Sequence, residues 1–196
     1  MKKILSITLA AMMAIPMMAS AHGPSRQKVI ETIVIDASPE KVWAIVGDFA
    51  GLDKWLPPVA ALKMEGEKTR ILSIGAADGP TITEELKSLD NEKMMMKYKI
   101  VDMSVIGQES HLGKTYDVPT IPVYNYLSII KLKEVEGGTE VTWTGKFYRV
   151  FQLNYEKTKP RYPKGLGDSD GVEAITGIFK SGLEKLKKIC EEDEGC

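Results

Sequence analysis

The sequence predicts an α+β fold, an antiparallel sheet with one long helix packed on a single face, and three observations carry that expectation. An Ile-, Val- and Thr-rich strand signal at residues 29–36 runs into a capped helix start at Ser38-Pro39-Glu40. A series of short strand signals follows, each closed by turn residues and ending in a hairpin at Gly137-Gly138. The last part carries apolar residues at helical spacing from Val172 to Ile189. A helix segregated to one face of an antiparallel sheet lets both bury their apolar sides.

The elements follow in order. Ser38 is the N-cap of the first helix, Pro39 occupies its first position, and Glu40 places an acid where the helix dipole favours one. Val42, Ile45, Val46 and Phe49 give it an apolar face. Gly51 breaks it, residues 52–55 make one more turn, and Pro57-Pro58 stops the run. Strands are expected at 61–65, 69–74, 81–89 and 93–101, separated by Gly66, residues 75–80 and Asp90-Asn91. The strongest strand signals are 124–134 and 140–149. Between them and the earlier strands, residues 102–123 read as a long irregular connection, either functional or an elaborated surface loop. After a Lys-, Tyr- and Pro-containing segment at 152–167, Asp170 and Glu173 form a capping-box-like start. Val172, Ile175, Ile178, Phe179, Gly182, Leu186 and Ile189 then trace one helix face, on which Gly182 permits close approach of a neighbour.

The N-terminus reads as a cleavable export signal. Lys2 and Lys3 precede an apolar stretch from Ile4 to Met18, and Ala19-Ser20-Ala21 supplies the small residues of a cleavage site. Cleavage after Ala21 leaves residues 22–196 as a single domain with a short tail at 191–196, directed to the periplasm. The apolar stretch is short for a membrane span, so none is expected after cleavage. The chain has 26 Lys and Arg against 27 Asp and Glu, a charge balance that argues against nucleic-acid binding. Cys190 and Cys196 are the sole cysteines and lie at the C-terminus. In an oxidising compartment they are a disulfide candidate that would staple the terminus rather than the fold.

Several motifs carry a resemblance. They are Ala37-Ser38-Pro39-Glu40-Lys41-Val42-Trp43, Asp48-Phe49-Ala50-Gly51, Lys54-Trp55-Leu56-Pro57, Thr81-Ile82-Thr83-Glu84-Glu85-Leu86, and Trp143-Thr144-Gly145-Lys146-Phe147-Tyr148-Arg149. In this order of elements the chain resembles the START and Bet v 1-like superfamily, also described as polyketide cyclase/dehydrase and lipid transport. With the export signal and the His22-Gly23-Pro24 start, it is similar to the MxaD-type branch, periplasmic accessory proteins of bacterial methanol oxidation. The resemblance implies a helix-grip fold, a curved antiparallel sheet around the C-terminal helix with a cavity between them. It also implies a quinoprotein dehydrogenase and a cytochrome c as partners, a hydrophobic small molecule or lipid as the alternative cargo, and no cofactor.

Strand alternation predicts what lines such a cavity. Lys97 and Lys99 facing water place Met94, Met96, Tyr98 and Ile100 inside. Lys131 and Lys133 likewise place Tyr124, Tyr126, Ser128, Ile130 and Leu132 inside. In the last strand Val141, Trp143, Gly145, Phe147 and Arg149 share a face, and Glu84 alternates with Ile82 and Leu86. The ligand-cavity candidates are therefore Glu84, Met96, Tyr98, Tyr126, Trp143, Phe147 and Arg149, with plain core filling as the alternative reading for each. An inward carboxylate needs a partner, so Glu84 is expected to pair with Arg149 or Arg70 and to anchor a ligand head group. A bulge turning it outward is the alternative.

Candidates for partner docking are Lys157, Lys159 and Arg161, interleaved with Tyr155 and Tyr162, and the apolar tip at Trp55. No catalytic residue is assigned, because His22 and His111 stand outside any recognisable triad. No metal site is assigned either, although a mature N-terminal His22 could chelate copper if His111 supplied a second imidazole.

Overall fold

The computed structural model describes residues 24–151 and 162–192. The signal segment, His22, Lys157, Lys159, Arg161 and Cys196 lie outside the described residues, so the disulfide and the basic docking loop have no structural account. The first strand, β1, spans Gln27–Ile35, and α1 covers Pro39–Val46 before a single 3-10 turn at Leu52–Lys54. Four strands follow: β2 Val59–Glu65, β3 Thr69–Ile74, β4 Thr81–Asp90 and β5 Met95–Met103. A hairpin, β6 Val105–His111 and β7 Lys114–Pro119, precedes β8 Val123–Val135 and β9 Gly138–Arg149. The last described element is α2, Asp168–Glu192.

Seven strands form one antiparallel sheet in the order β1-β9-β8-β5-β4-β3-β2. The first two strands of the chain are thus the two sheet edges, and α1 with the 3-10 turn carries the chain from one edge to the other. Register shifts at Val59/Ala61 on β2, Thr83/Glu84 and Leu86/Ser88 on β4, and Tyr124/Leu127 on β8 interrupt the ladders. Such bulges bend strands and increase their twist, which is how a sheet comes to wrap a helix. The result is the helix-grip α+β fold.

Local chemistry explains the elements. Ser38 Oγ accepts from the Lys41 amide at 3.4 Å, with Pro39 behind it, and Val42, Trp43 and Val46 are the buried face of α1. Trp43 Nε1 donates to Asn91 Oδ1 at 3.1 Å and ties α1 to the β4–β5 turn. The β8–β9 hairpin turns on Gly137 and Gly138 at φ 87° and 129°, and a side chain at Gly138 would strike the Ile35 carbonyl. At the start of α2, Asp170 Oδ2 accepts from the Gly167 amide at 2.8 Å. Asp170 is therefore the inward-reaching acid of the capping box, and the helix begins two residues before it. The other end of α2 covers the edge of β1, where Lys187 Nζ donates to the Val34 carbonyl at 2.7 Å and the Asp36 amide donates to Glu191 at 2.9 Å. That contact occupies backbone groups that an open strand edge would expose.

Two expectations change. Residues 102–123 are not irregular: they form the separate two-stranded β6–β7 sheet. Its tight turn uses Leu112 and Gly113 at φ 52° and 73°, the paired left-handed geometry usually signalled by Asn-Gly. Leu at the first position conceals it, and Val105, Ile106 and Leu112 are all exposed, so no alternation marks the strands. The hairpin is held to the body by the rings of His111 and Tyr116, which meet Phe151 edge-on at 5.6 and 5.1 Å. Tyr124, expected inside, is 58% exposed because the bulge between Tyr124 and Leu127, with Asn125 at φ 50°, reverses its facing.

The core lies between the inner sheet face and α2. Ile175, Phe179, Gly182, Leu183, Leu186 and Cys190 are the buried side of that helix, whereas Val172, Ile178 and Ile189 are only partly covered. At Gly182 a Cβ would lie 2.8 Å from Leu56 Cδ1 and 3.0 Å from Trp143 Cζ3. Gly182→Val should therefore destabilise the protein by about 1–3 kcal/mol through overpacking, despite the better helix propensity of most residues over Gly. Urea denaturation of the variant measures this, and an unchanged midpoint would show that α2 can move away at no cost.

Candidate functional site

The site grows out of one cross-strand pair. Arg70 on β3 stands directly opposite Glu84 on β4, and both side chains point to the inner face, 1% and 5% exposed. Arg70 Nε donates to Glu84 Oε2 at 2.7 Å, and Nη2 lies 2.7 Å from the same oxygen as an ion contact. Nη1 donates to the Phe49 carbonyl at 2.7 Å. The guanidinium packs against the neighbouring rings of Phe49 and Tyr98, 4.1 and 4.8 Å from their centroids. The register shift at Thr83/Glu84 therefore leaves Glu84 facing inward. Its partner is Arg70, not Arg149.

Beside this pair lies a polar cluster. Trp143 Nε1 on β9 donates to Ser128 Oγ on β8 at 2.7 Å, and Tyr98 is the register partner of Ser128 on β5. Burial holds the Glu84 carboxyl above the ordinary carboxylate range, with the Arg70 charge pulling it back in part. Burial also raises Tyr98 and Tyr126 well above the ordinary phenol range, with Glu84 and, for Tyr126, Tyr98 adding to the shift, so both stay neutral hydroxyls.

Glu84, Tyr98, Tyr126 and Trp143 border a cavity of about 290 Å³ between the sheet and α2. Its walls are mainly apolar, with Leu56, Ile82, Ile100, Ile121, Ile175 and Ile178 among them, and Glu84, Tyr98 and Tyr126 bring the polar atoms. Of the sequence candidates, Glu84, Tyr98, Tyr126 and Trp143 line this space. Met96 and Phe147 do not: both are buried core residues, Phe147 stacking on Tyr126 at 6.3 Å. Arg149 is likewise absent from the walls. Its Nε donates to the Phe151 carbonyl at 2.6 Å, Nη1 pairs with Asp168 at 3.2 Å, and its guanidinium lies over Tyr162, so it joins the end of β9 to the start of α2.

Trp55 is a correction as a docking residue. It is 1% exposed, packed against Trp143 at 5.2 Å, because the 3-10 turn folds the Trp55-Leu56 segment inward onto α2 at Gly182. Sequence reasoning did not find Thr120, Ile121 and Pro122, which close the cavity from the β7–β8 connection, since nothing local shows that this connection folds back over the sheet. A second, more open groove of about 420 Å³ lies where β5 and β8 part after Lys99 and Leu127. Val101, Val105, Tyr124, Asp102 and Asp117 are on its walls. Among the described residues no cluster of His, Cys, Asp and Glu could hold a metal ion, and His111 contributes to packing on Phe151. No described helix is long and apolar enough to cross a membrane.

A seven-stranded antiparallel sheet gripping a C-terminal helix, with an apolar cavity between them and a buried polar cluster in its wall, defines the START and Bet v 1-like class. The chain belongs to the polyketide cyclase/dehydrase and lipid-transport family, which matches residues 26–191. Among solved structures it is similar to the protein XoxI from Bacillus cereus, at 27% identity over 83% of this chain and 94% of that one, with a TM-score of 0.63. An uncharacterised protein from Bacillus thuringiensis is comparable, at 28% identity over 82% and 96% of the two chains and a TM-score of 0.61. Norcoclaurine synthase from Thalictrum flavum, solved with dopamine and hydroxybenzaldehyde, shares the fold at 13% identity over 88% and 91% of the chains, with a TM-score of 0.58. No curated protein matches the chain.

Proposed function

We propose that this protein is an exported, non-catalytic binding protein that holds one small, mainly apolar molecule in the helix-grip cavity. The observation that carries the reading is the cavity itself, apolar on nearly every wall yet bordered by Glu84, whose charge Arg70 balances from behind the wall. Ligand sites are typically apolar clefts with a few placed polar groups, and a volume of about 290 Å³ stands at the small end of their range. A non-catalytic role is supported by the partner of Glu84, the Arg70 guanidinium, which holds its charge and so fixes the carboxylate without exchanging a proton with it. Export to the periplasm is supported by the leader-like first 21 residues. Native mass spectrometry of protein purified from periplasm should show a single bound small molecule, released on unfolding. Protein that is uniformly unliganded and takes up no apolar probe would sink the reading.

A narrower form makes the protein an accessory to a quinoprotein dehydrogenase and its cytochrome c. The motifs similar to the MxaD-type branch support it, and so does one structural feature. Val105, Ile106 and Leu112 on the β6–β7 hairpin are 54–56% exposed, and Val105 with Tyr124 puts apolar surface on a groove that also holds Asp102 and Asp117. Exposed apolar side chains beside acids suit a partner that presents apolar contacts ringed by Lys or Arg.

A further inference from the structure

The two oxygens of Glu84 are not equivalent. Oε2 takes both contacts from Arg70, whereas no protein donor among the described residues reaches Oε1. Glu84 nevertheless lines the cavity and keeps a little accessible surface there. A carboxylate oxygen without a donor in an apolar surrounding is costly. Neither Tyr98 nor Tyr126 donates a hydrogen bond to it, although both rings border the same space.

Arg70 is out of a ligand's reach. Nε donates to Glu84 Oε2, Nη2 makes only an ion contact with that same oxygen, and Nη1 is given to the Phe49 carbonyl. It cancels the carboxylate charge, yet it is 1% exposed and is not part of the cavity walls. Among the described residues the cavity therefore has no free cation for a carboxylate, sulfate or phosphate, and no net negative charge that calls for an ammonium group. What is left is one strong acceptor in an apolar wall.

Resting on the binding reading above, we infer that Glu84 Oε1 is the recognition atom of the cavity, and that the ligands are neutral one- or two-ring apolar molecules bearing an O–H or N–H donor. The volume of about 290 Å³ sets the upper size and leaves out two-chain lipids. A hydrogen bond to a charged acceptor, made away from water, is among the stronger kinds.

An isosteric pair tests this. Titrations with 2-naphthol and 2-methylnaphthalene, followed by the fluorescence of Trp143 in the cavity wall, compare a hydroxyl with a methyl at the same position. The wild-type protein should prefer 2-naphthol by roughly ten-fold or more. In Glu84→Gln the ratio should fall towards one, because Arg70 retains the amide oxygen and the amide nitrogen, a donor, faces the cavity. In the wild-type protein alone, the Glu84 side-chain carboxyl carbon should shift in its NMR spectrum with 2-naphthol and not with 2-methylnaphthalene, which keeps the test independent of how well the variant folds. Equal affinity for the two probes, a missing carboxyl shift, or a preference unchanged in Glu84→Gln would each overturn the assignment while leaving the cavity as a binding site. Binding of neither probe would overturn the binding reading with it.

Discussion

Arg70→Met should destabilise the protein by about 3–5 kcal/mol at neutral pH, one of the two largest effects expected of any single substitution here. The variant keeps an apolar stem against Phe49 and Tyr98 but leaves Glu84 as an unpaired buried carboxylate. The pH dependence identifies the cause. In the wild-type protein burial already raises Glu84 above the ordinary carboxyl value of 4.5, so the folded state holds its proton more tightly than the unfolded chain does. From that ordinary value up to the raised one, the unfolded chain releases the proton first, and stability falls as pH rises. Without Arg70 the one charge pulling the carboxyl down is gone, so the fall should be steeper and reach higher pH. Urea denaturation of both proteins from pH 4 to 8 should show their stabilities converging at the acid end. A constant difference across that range would place the cost in packing instead. The double variant Arg70→Met with Glu84→Leu should recover most of the loss, because an apolar pair can replace a buried ion pair with little penalty.

Trp143→Ala should cost about 3–5 kcal/mol as well, for a different reason. Trp143 is 1% exposed, stacked on Phe179 at 4.2 Å and tilted against Trp55 at 5.2 Å, so it joins β9, α2 and the 3-10 turn segment in one contact. Its removal also strips Ser128 Oγ of the indole donor. Because Trp143 lines the cavity, the truncation should enlarge the space, and three-ring apolar probes that wild-type protein rejects should bind the variant. Denaturation midpoints and equilibrium titration with anthracene measure the two effects. A stable variant with unchanged probe size would mean that the neighbouring rings collapse into the gap.

Much of the fold was legible because its signals are local. Ser38-Pro39-Glu40, the Gly137-Gly138 turn and the alternation in β5, in β8 from Tyr126 onward and in β9 each act over a few residues, and each appears as expected. The β6–β7 hairpin was hidden because its turn places Leu112 in a left-handed conformation and its strands bury almost nothing that would set a pattern.

The site divides along the same line. Parity in the strands determined by itself that Glu84, Tyr98, Tyr126 and Trp143 face inward, because successive side chains of a strand must point to opposite faces. Tertiary structure decided which arginine Glu84 meets. Strand order puts β3 beside β4 and leaves Arg149 at the far end of β9, next to Asp168. It decided too that Trp55 is core, since the small Gly182 on a distant helix makes room for it. Facing is a property of one strand, whereas pairing and enclosure depend on elements that meet only when the chain has folded, and no spacing in the sequence records that meeting.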